Sequence, residues 1–231
     1  FKNSLALPKE WMFSNYATAW QSGISDYMLN SFVVTIISVL LICFVASLAS
    51  YGLSRFQFPF REVIFYSILG GLMVSEYCII IPLYNMFAAA GLRNTHIALY
   101  IAYVTLQTPF SVFLMRSYFL SLSKDIEEAA IIDGAGPFQV LKHITVPLSK
   151  PMFATVCSIL GIFFRIVVPI CRPIIFSCAI VSAVSVWNEF MFAMVFIDSQ
   201  SLMTVPLGLQ TFQGQYASRW CITLAACVIS S

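Results

Sequence analysis

Residues 31–53 read SFVVTIISVLLICFVASLASYGL, an apolar run with no charged side chain. Wound as a helix at about 1.5 Å per residue, such a run crosses the ~30 Å hydrocarbon core of a bilayer. Ser47, Ser50 and Gly52 in its second half are small enough for another helix to pack closely. Working outward, the chain repeats this theme. Apolar runs are expected at about 63–89, 97–115, 173–197 and 221–231, the last cut short. The second carries Glu76 and Pro82, and the turn Gly91-Leu92-Arg93-Asn94-Thr95 ends it.

The composition agrees. Of 231 residues, 60% are hydrophobic and 10% charged, whereas a water-soluble domain carries about 25% charged residues. The expected class is all-α, a polytopic transmembrane helical bundle in one domain over residues 1–231. A net charge of +2 is too small to point to nucleic acid. The cysteines (Cys43, Cys78, Cys157, Cys171, Cys178, Cys221, Cys227) lie almost wholly inside apolar runs without a CxxC pair, and read as small buried hydrophobes. His96 and His143 lie far apart and make no metal cluster. The chain has no initial methionine and stops within an apolar run too short to span, so a fragment is expected, short of a span at each end.

Before residue 31 come Leu7-Pro8-Lys9-Glu10-Trp11, Asn15-Tyr16 and Trp20, a composition suited to the membrane–water boundary. Basic residues set the orientation. Arg55 and Arg61 flank one loop, and Arg116, Lys124, Lys142 and Lys150 lie in another, while the 90–96 turn has only Arg93. Two spans separate the basic loops, so both are assigned to the cytoplasmic face. Lys2 and Lys9 on the other side weaken this count without reversing it.

The loop at 116–150 is the long polar island. Ser123 can cap a helix with Asp125, Glu127 and Glu128 near its first turn. Ile126, Ala129 and Ala130 share a face. Gly134 suits a stop, and Pro137 suits the start of a second helix with Val140, Leu141 and Ile144 as its apolar positions. Pro147 and Pro151 close it. Periodicity predicts a helix–turn–helix on the cytoplasmic surface, and an amphipathic surface helix joining two spans accounts for it equally well.

The residue types at these spacings go further. Glu128-Ala129-Ala130-Ile131-Ile132-Asp133-Gly134-Ala135-Gly136, followed by Ile144-Thr145-Val146-Pro147-Leu148, resembles the EAA loop of ABC-importer permease subunits. Leu7-Pro8 with Asn15-Tyr16, Tyr51-Gly52-Leu53-Ser54-Arg55, Pro82-Leu83-Tyr84, Gly91-Leu92-Arg93-Asn94-Thr95, Leu114-Met115-Arg116-Ser117, Trp187-Asn188-Glu189-Phe190 and Thr204-Val205-Pro206-Leu207-Gly208-Leu209 are similar to the carbohydrate-uptake branch of that family. Together they cover most of the chain.

The resemblance implies a type I ABC importer permease fold in the bacterial inner membrane, missing its first span and part of its last. It implies that the loop at 121–150 docks on an ATPase. Glu128 would meet a basic groove residue, Ala129 and Ala130 would allow close approach, Gly134 would form the bend, and Asp133 and Ala135 would belong to the same coupling set. The implied partners are an ABC ATPase dimer, a companion permease, an extracytoplasmic solute-binding protein, a sugar substrate and membrane lipid. ATP and Mg would sit on the partner ATPase, with no cofactor in this chain. The chain itself has no GxxxxGK[ST] or GxGxxG, so it is not expected to be an enzyme.

Tyr84, Asn188, Glu189, Gln210 and Gln213 are the candidate path or sugar contacts, because amides and aromatic faces suit hydroxyl-rich rings. Intramembrane acids such as Glu189 and Glu76 mark a function or a brace between spans. Rival readings are a permease for peptides, amino acids or polyamines, and a polytopic membrane enzyme or scaffold. The latter has no need of a docking helix.

One feature departs from the family. Pro147 stands 40 residues before Trp187, where 18 is usual, and Pro169 stands 18 before it. Ile144, Pro147, Lys150 and Pro151 are echoed 22 residues on by Ile166, Pro169, Arg172 and Pro173. A local duplication or an error in the sequence accounts for the echo. Arg165 and Arg172 disfavour an extra span, since a central arginine costs at least about 2.5–3.5 kcal/mol. A kinked or interfacial insert is expected at 152–172.

Overall fold

A computed structural model of the chain describes residues 12–121, 168–215 and 220–230. The coupling residues Glu128, Ala129, Ala130, Asp133, Gly134 and Ala135 lie outside them, as does nearly all of the insert at 152–172. Regular structure among the described residues is helical throughout.

A short helix, α1 (Ser14–Ala19), passes through a π-turn at Trp20–Ile24 into α2 (Ser25–Arg55). The latter begins six residues before the uncharged run does. Asp26 in its first turn complements the helix dipole there. Next come α3 (Arg61–Gly70) and α4 (Glu76–Ala89). The apolar stretch at 63–89 is therefore not one helix: a 3₁₀ turn at Gly71–Met73 and an extended Val74 separate the two. Gly70-Gly71 ahead of Ser75 is the sequence cause, since glycine pairs and serine weaken a helix.

At the far end of α4 the Leu92 N–H bonds the Phe87 carbonyl at 2.9 Å and the Gly91 N–H the Ala88 carbonyl at 3.2 Å. Gly91, at φ 68°, makes this stop possible, because the left-handed position costs glycine nothing. Helix α5 (His96–Ser121) follows. After the undescribed stretch come α6 (Arg172–Trp187), α7 (Met191–Phe196), a 3₁₀ turn at Gln200–Leu202, α8 (Val205–Gln215) and α9 (Trp220–Ser230).

The helical segment Ser14–Arg55, kinked at Gly23 with φ 109°, and α5 are each long and apolar enough to cross a membrane. The broken pair α3–α4 meets the same test if counted as one span. Leu29, Phe32, Leu40, Phe176, Ile180 and Val228 are exposed. That is unfavourable in water and natural in lipid or against another apolar chain.

The described residues gather into two compact units. The first takes residues 12–38, 76–103, 183–215 and 220–230, and the second 39–75, 104–121 and 168–182. In the first, Ala19 and Ile24 pack with Ile222, Ala225 and Ala226 of α9. Gly208 of α8 also belongs here. A Cβ on it would sit 2.3 Å from the Tyr27 ring, so only a glycine fits this approach. In the second, Ala46, Tyr51, Phe65, Val112, Met115, Phe119 and Cys178 form the core. The Ser50 hydroxyl donates to the Val112 carbonyl at 3.1 Å, the kind of polar link that joins helices in lipid.

Candidate functional site

Polar side chains in an apolar chain are few, so where each finds a partner is informative. In the first unit they concentrate on the breaks between helices. Between α6 and α7 stands Glu189. One carboxyl oxygen accepts the Phe192 N–H at 2.9 Å, and the other accepts the Tyr103 hydroxyl at 2.8 Å, with the Ala193 N–H at 3.4 Å. The acid thus covers backbone donors that the start of α7 leaves open. It also fastens that start to α5, where Tyr103 is 2% exposed. These contacts suit a brace, one of the two roles expected of Glu189.

The segment after α7 is held in the same manner. Asn94, in the left-handed region at φ 56°, accepts the Asp198 and Ser199 N–H groups at 3.1 and 2.9 Å on its amide oxygen. Its amide nitrogen donates to the Ser199 hydroxyl at 2.6 Å. Arg93 pairs with Asp198 at 3.1 Å. His96 Nε2 lies 3.0 Å from the Leu202 carbonyl. From α2, Asn30 donates to the Ser201 and Met203 carbonyls, and the Ser31 hydroxyl accepts the Val205 N–H at 2.7 Å. An irregular stretch at 197–205 is therefore satisfied by side chains and by its own short-range backbone bonds together, which is what non-helical backbone at a membrane requires.

In the second unit an ionic contact joins α3 and α5. Arg116 near the end of α5 donates from Nη2 to Glu62 Oε1 at 2.6 Å. The same oxygen accepts from Arg61 at 2.9 and 3.1 Å. The Arg116 guanidinium also lies 3.9 Å from the centre of the Phe65 ring. Partial loss of solvent opposes ionisation of Glu62, but the hydrogen bond from Arg61 and the charge and hydrogen bond of Arg116 outweigh it. Its pKa is held below the ordinary carboxylate value.

The predicted contact residues have separate partners. The half-buried Tyr84 carries Arg93 over its ring at 5.2 Å. Asn188 is exposed and donates back to the Val184 carbonyl at 2.8 Å. Gln210 lies exposed on α8, and Gln213 lies on the same helix. Glu76 is exposed in the first turn of α4. Sequence reasoning missed Tyr103, Asn94 and the Glu62–Arg116 pair. Asn94 had a usable signal, since an asparagine just past a helix-stopping glycine readily takes the left-handed region. Tyr103 had none, because its partner lies 86 positions away.

Comparison with known proteins gives a consistent picture. Residues 46–160 match the family model described as binding-protein-dependent transport system inner membrane component. A probable ABC transporter permease protein of Bacillus subtilis is 38% identical over 231 residues, all of this chain and 70% of that one. The trehalose/maltose transport system permease protein of Thermococcus litoralis is 34% identical over 206 residues, 89% of this chain and 66% of that one. The diacetylchitobiose uptake system permease protein of Streptomyces coelicolor is 32% identical over 208 residues, 90% of this chain and 62% of that one. Among solved structures, a chain of a bacterial ABC transporter that imports the acidic polysaccharide alginate superposes with a TM-score of 0.74 at 20% identity. The match covers 99% of this chain and 77% of that one.

Proposed function

Because the chain belongs to the family of inner membrane components of binding-protein-dependent transport systems, we propose that this ABC-importer permease subunit carries sugars or oligosaccharides. The carrying observation is that relatives named for trehalose/maltose and for diacetylchitobiose each match about nine-tenths of the chain. The Trp187-Asn188-Glu189-Phe190 and Pro82-Leu83-Tyr84 strings support the same branch.

In this reading the subunit forms half of a translocation path. It works with a companion permease, an ATPase dimer that holds ATP and Mg, and a solute-binding protein. The loop carrying Glu128, Ala129, Ala130, Asp133, Gly134 and Ala135 passes ATPase motion to the spans. ATP closes the ATPase dimer and opens the path outward, the binding protein delivers sugar, and hydrolysis resets the assembly. Tyr84, Asn188, Gln210 and Gln213 are the proposed path residues. Glu189 is proposed with them as a path residue, its contacts also fixing the start of α7.

The test is reconstitution of the full-length protein in vesicles with and without each partner, supplied with radiolabelled maltose, trehalose, diacetylchitobiose or raffinose. Uptake of at least one sugar is expected only with all partners and ATP. Uptake by this subunit alone, or uptake of an amino acid or peptide in place of every sugar, overturns the reading. Gly134 replaced by a bulky residue should abolish ATPase association in a pull-down, and unchanged association removes the docking role.

A further inference from the structure

We propose that Arg116 and Glu62 form a positioning clamp that makes the cytoplasmic ends of α3 and α5 move as one body during the transport cycle. The proposal rests on the permease reading above and adds to it a place where motion crosses from one helix to the next.

The guanidinium of Arg116 is gripped twice by the same helix. Glu62 and Phe65 are three residues apart on α3, so their side chains share a face. The carboxyl takes one edge of the guanidinium at 2.6 Å and the ring takes its flat face at 3.9 Å. A single bond can pivot. An edge and a face held together fix both the position and the tilt of the planar group. Sliding α5 along α3 by even part of a turn breaks one of the two. Arg61 donates to the same Glu62 oxygen at 2.9 and 3.1 Å, a second hold on the carboxyl from its own helix.

Burial sharpens the point. The Arg116 side chain is 8% exposed, against 47% for Glu62, and its Nε is buried without a partner among the described residues. With Glu62 half-exposed, solvent screens the pair and leaves it little net stability, so stability is a weak reason to place a guanidinium here. Holding two helices in a fixed relation is a better one. The neighbouring contacts point the same way. One turn beyond Arg116, the buried Phe119 meets Tyr51 of α2 edge to face at 6.3 Å. Arg116 stands five residues before Ser121, where α5 ends and the chain runs on into the loop assigned to ATPase docking. A displacement entering α5 from that loop reaches the clamp in under two helical turns.

The experiment uses the assembled transporter and whichever sugar of the panel above its wild type imports. ATP hydrolysed per sugar imported is measured for Glu62→Gln, Arg116→Gln and the double exchange Glu62→Arg with Arg116→Glu. Complex assembly is scored by co-purification. Each single variant is expected to assemble normally and to raise the ratio by about three- to thirtyfold, and the exchange should bring it back towards wild type. A residue that only stabilises the fold would lower assembly and leave the ratio alone.

A second measurement covers variants that assemble poorly. Cysteines at positions 62 and 116 in a cysteine-free background, bridged by a short bifunctional thiol reagent, should transport with the wild-type ratio when bridged and a raised one when not. Loss of import on bridging, or an unchanged ratio in both single variants, overturns the clamp alone. A wild-type complex that imports no sugar with ATP overturns the functional reading and the clamp with it.

Discussion

Glu189 and Glu62 are both carboxyl groups at a helix start in a largely apolar chain, and they are satisfied in opposite ways. Among the described residues Glu189, in the first unit, accepts only from neutral groups: the Tyr103 hydroxyl and the backbone of α7. Glu62, in the second, is met by two guanidinium groups. The difference follows from surroundings. Within a span, a full counter-charge must itself be drawn out of water, which is expensive. Hydroxyl and backbone donors are already present there. At the start of α3, Glu62 is 47% exposed, so its carboxylate keeps water on one side while two guanidinium groups meet it on another. The first arrangement should therefore govern whether the fold holds, and the second how its helices move relative to each other.

The largest expected effect tests the first half of this contrast. Glu189→Ala leaves the buried Tyr103 hydroxyl and the Phe192 amide without an acceptor, at a cost of about 2–4 kcal/mol. Thermal unfolding in detergent should show a clear drop. Glu189→Gln, which keeps one acceptor oxygen, should lose less than half as much. Equal losses for Glu189→Ala and Glu62→Ala would remove the distinction between the two sites. Asn94→Ala comes next. It deletes the acceptor of two backbone amides and a donor to Ser199, for about 2 kcal/mol. Asn94→Asp retains the acceptor and should recover most of that, provided Arg93 stays paired with Asp198.

How much of this was readable without coordinates differs between the two regions. The uncharged run at 31–53 announces α2, because no other use of so long an apolar stretch satisfies its backbone in lipid. Its true start at Ser25 was hidden. Asp26 and Asn30 look like boundary residues, yet Asn30 is occupied by the carbonyls of Ser201 and Met203, some 170 positions away. Gly70, Gly71 and Ser75 marked the break before α4, although apolar content alone argued for one run. Glu189 stood out as an intramembrane acid, but whether it braces or binds turns on Tyr103, and a pairing at that separation leaves no local trace. Glu62 was hidden differently, as one more charge beside a basic loop. The docking residues around Glu128 remain legible only through their resemblance to a family.

A smaller effect probes the second unit. Phe60 precedes α3 with φ 64° and is 75% exposed. A bulky side chain in the left-handed region costs about 1 kcal/mol, and here it gains little burial in return. Phe60→Gly should raise stability by about 0.5 kcal/mol, because glycine's greater freedom in the unfolded chain offsets part of the relief. A loss of stability instead would mean that the exposed ring has a partner in the full assembly, for which co-purification yield is the check.

The smallest expected effect is a response to acid. The Glu62 pKa lies below its ordinary value in the folded chain, so the pair's contribution is fully present above the ordinary carboxylate pKa of about 4.3. It is lost only as pH falls through the lowered value. Between pH 7 and pH 5 the ATP-to-sugar ratio should therefore be flat with respect to this group. As pH falls through that lowered value, protonation should loosen the clamp in the same direction as Glu62→Gln. Glu62→Gln itself should show no such acid step, and that comparison isolates the carboxyl from every other titrating group in the transporter. A ratio that already rises between pH 7 and pH 5 in the wild type and stays flat in Glu62→Gln would mean that the two arginines do not hold this carboxyl ionised. The contrast between a neutral brace and an ionic clamp would then fail at its second member.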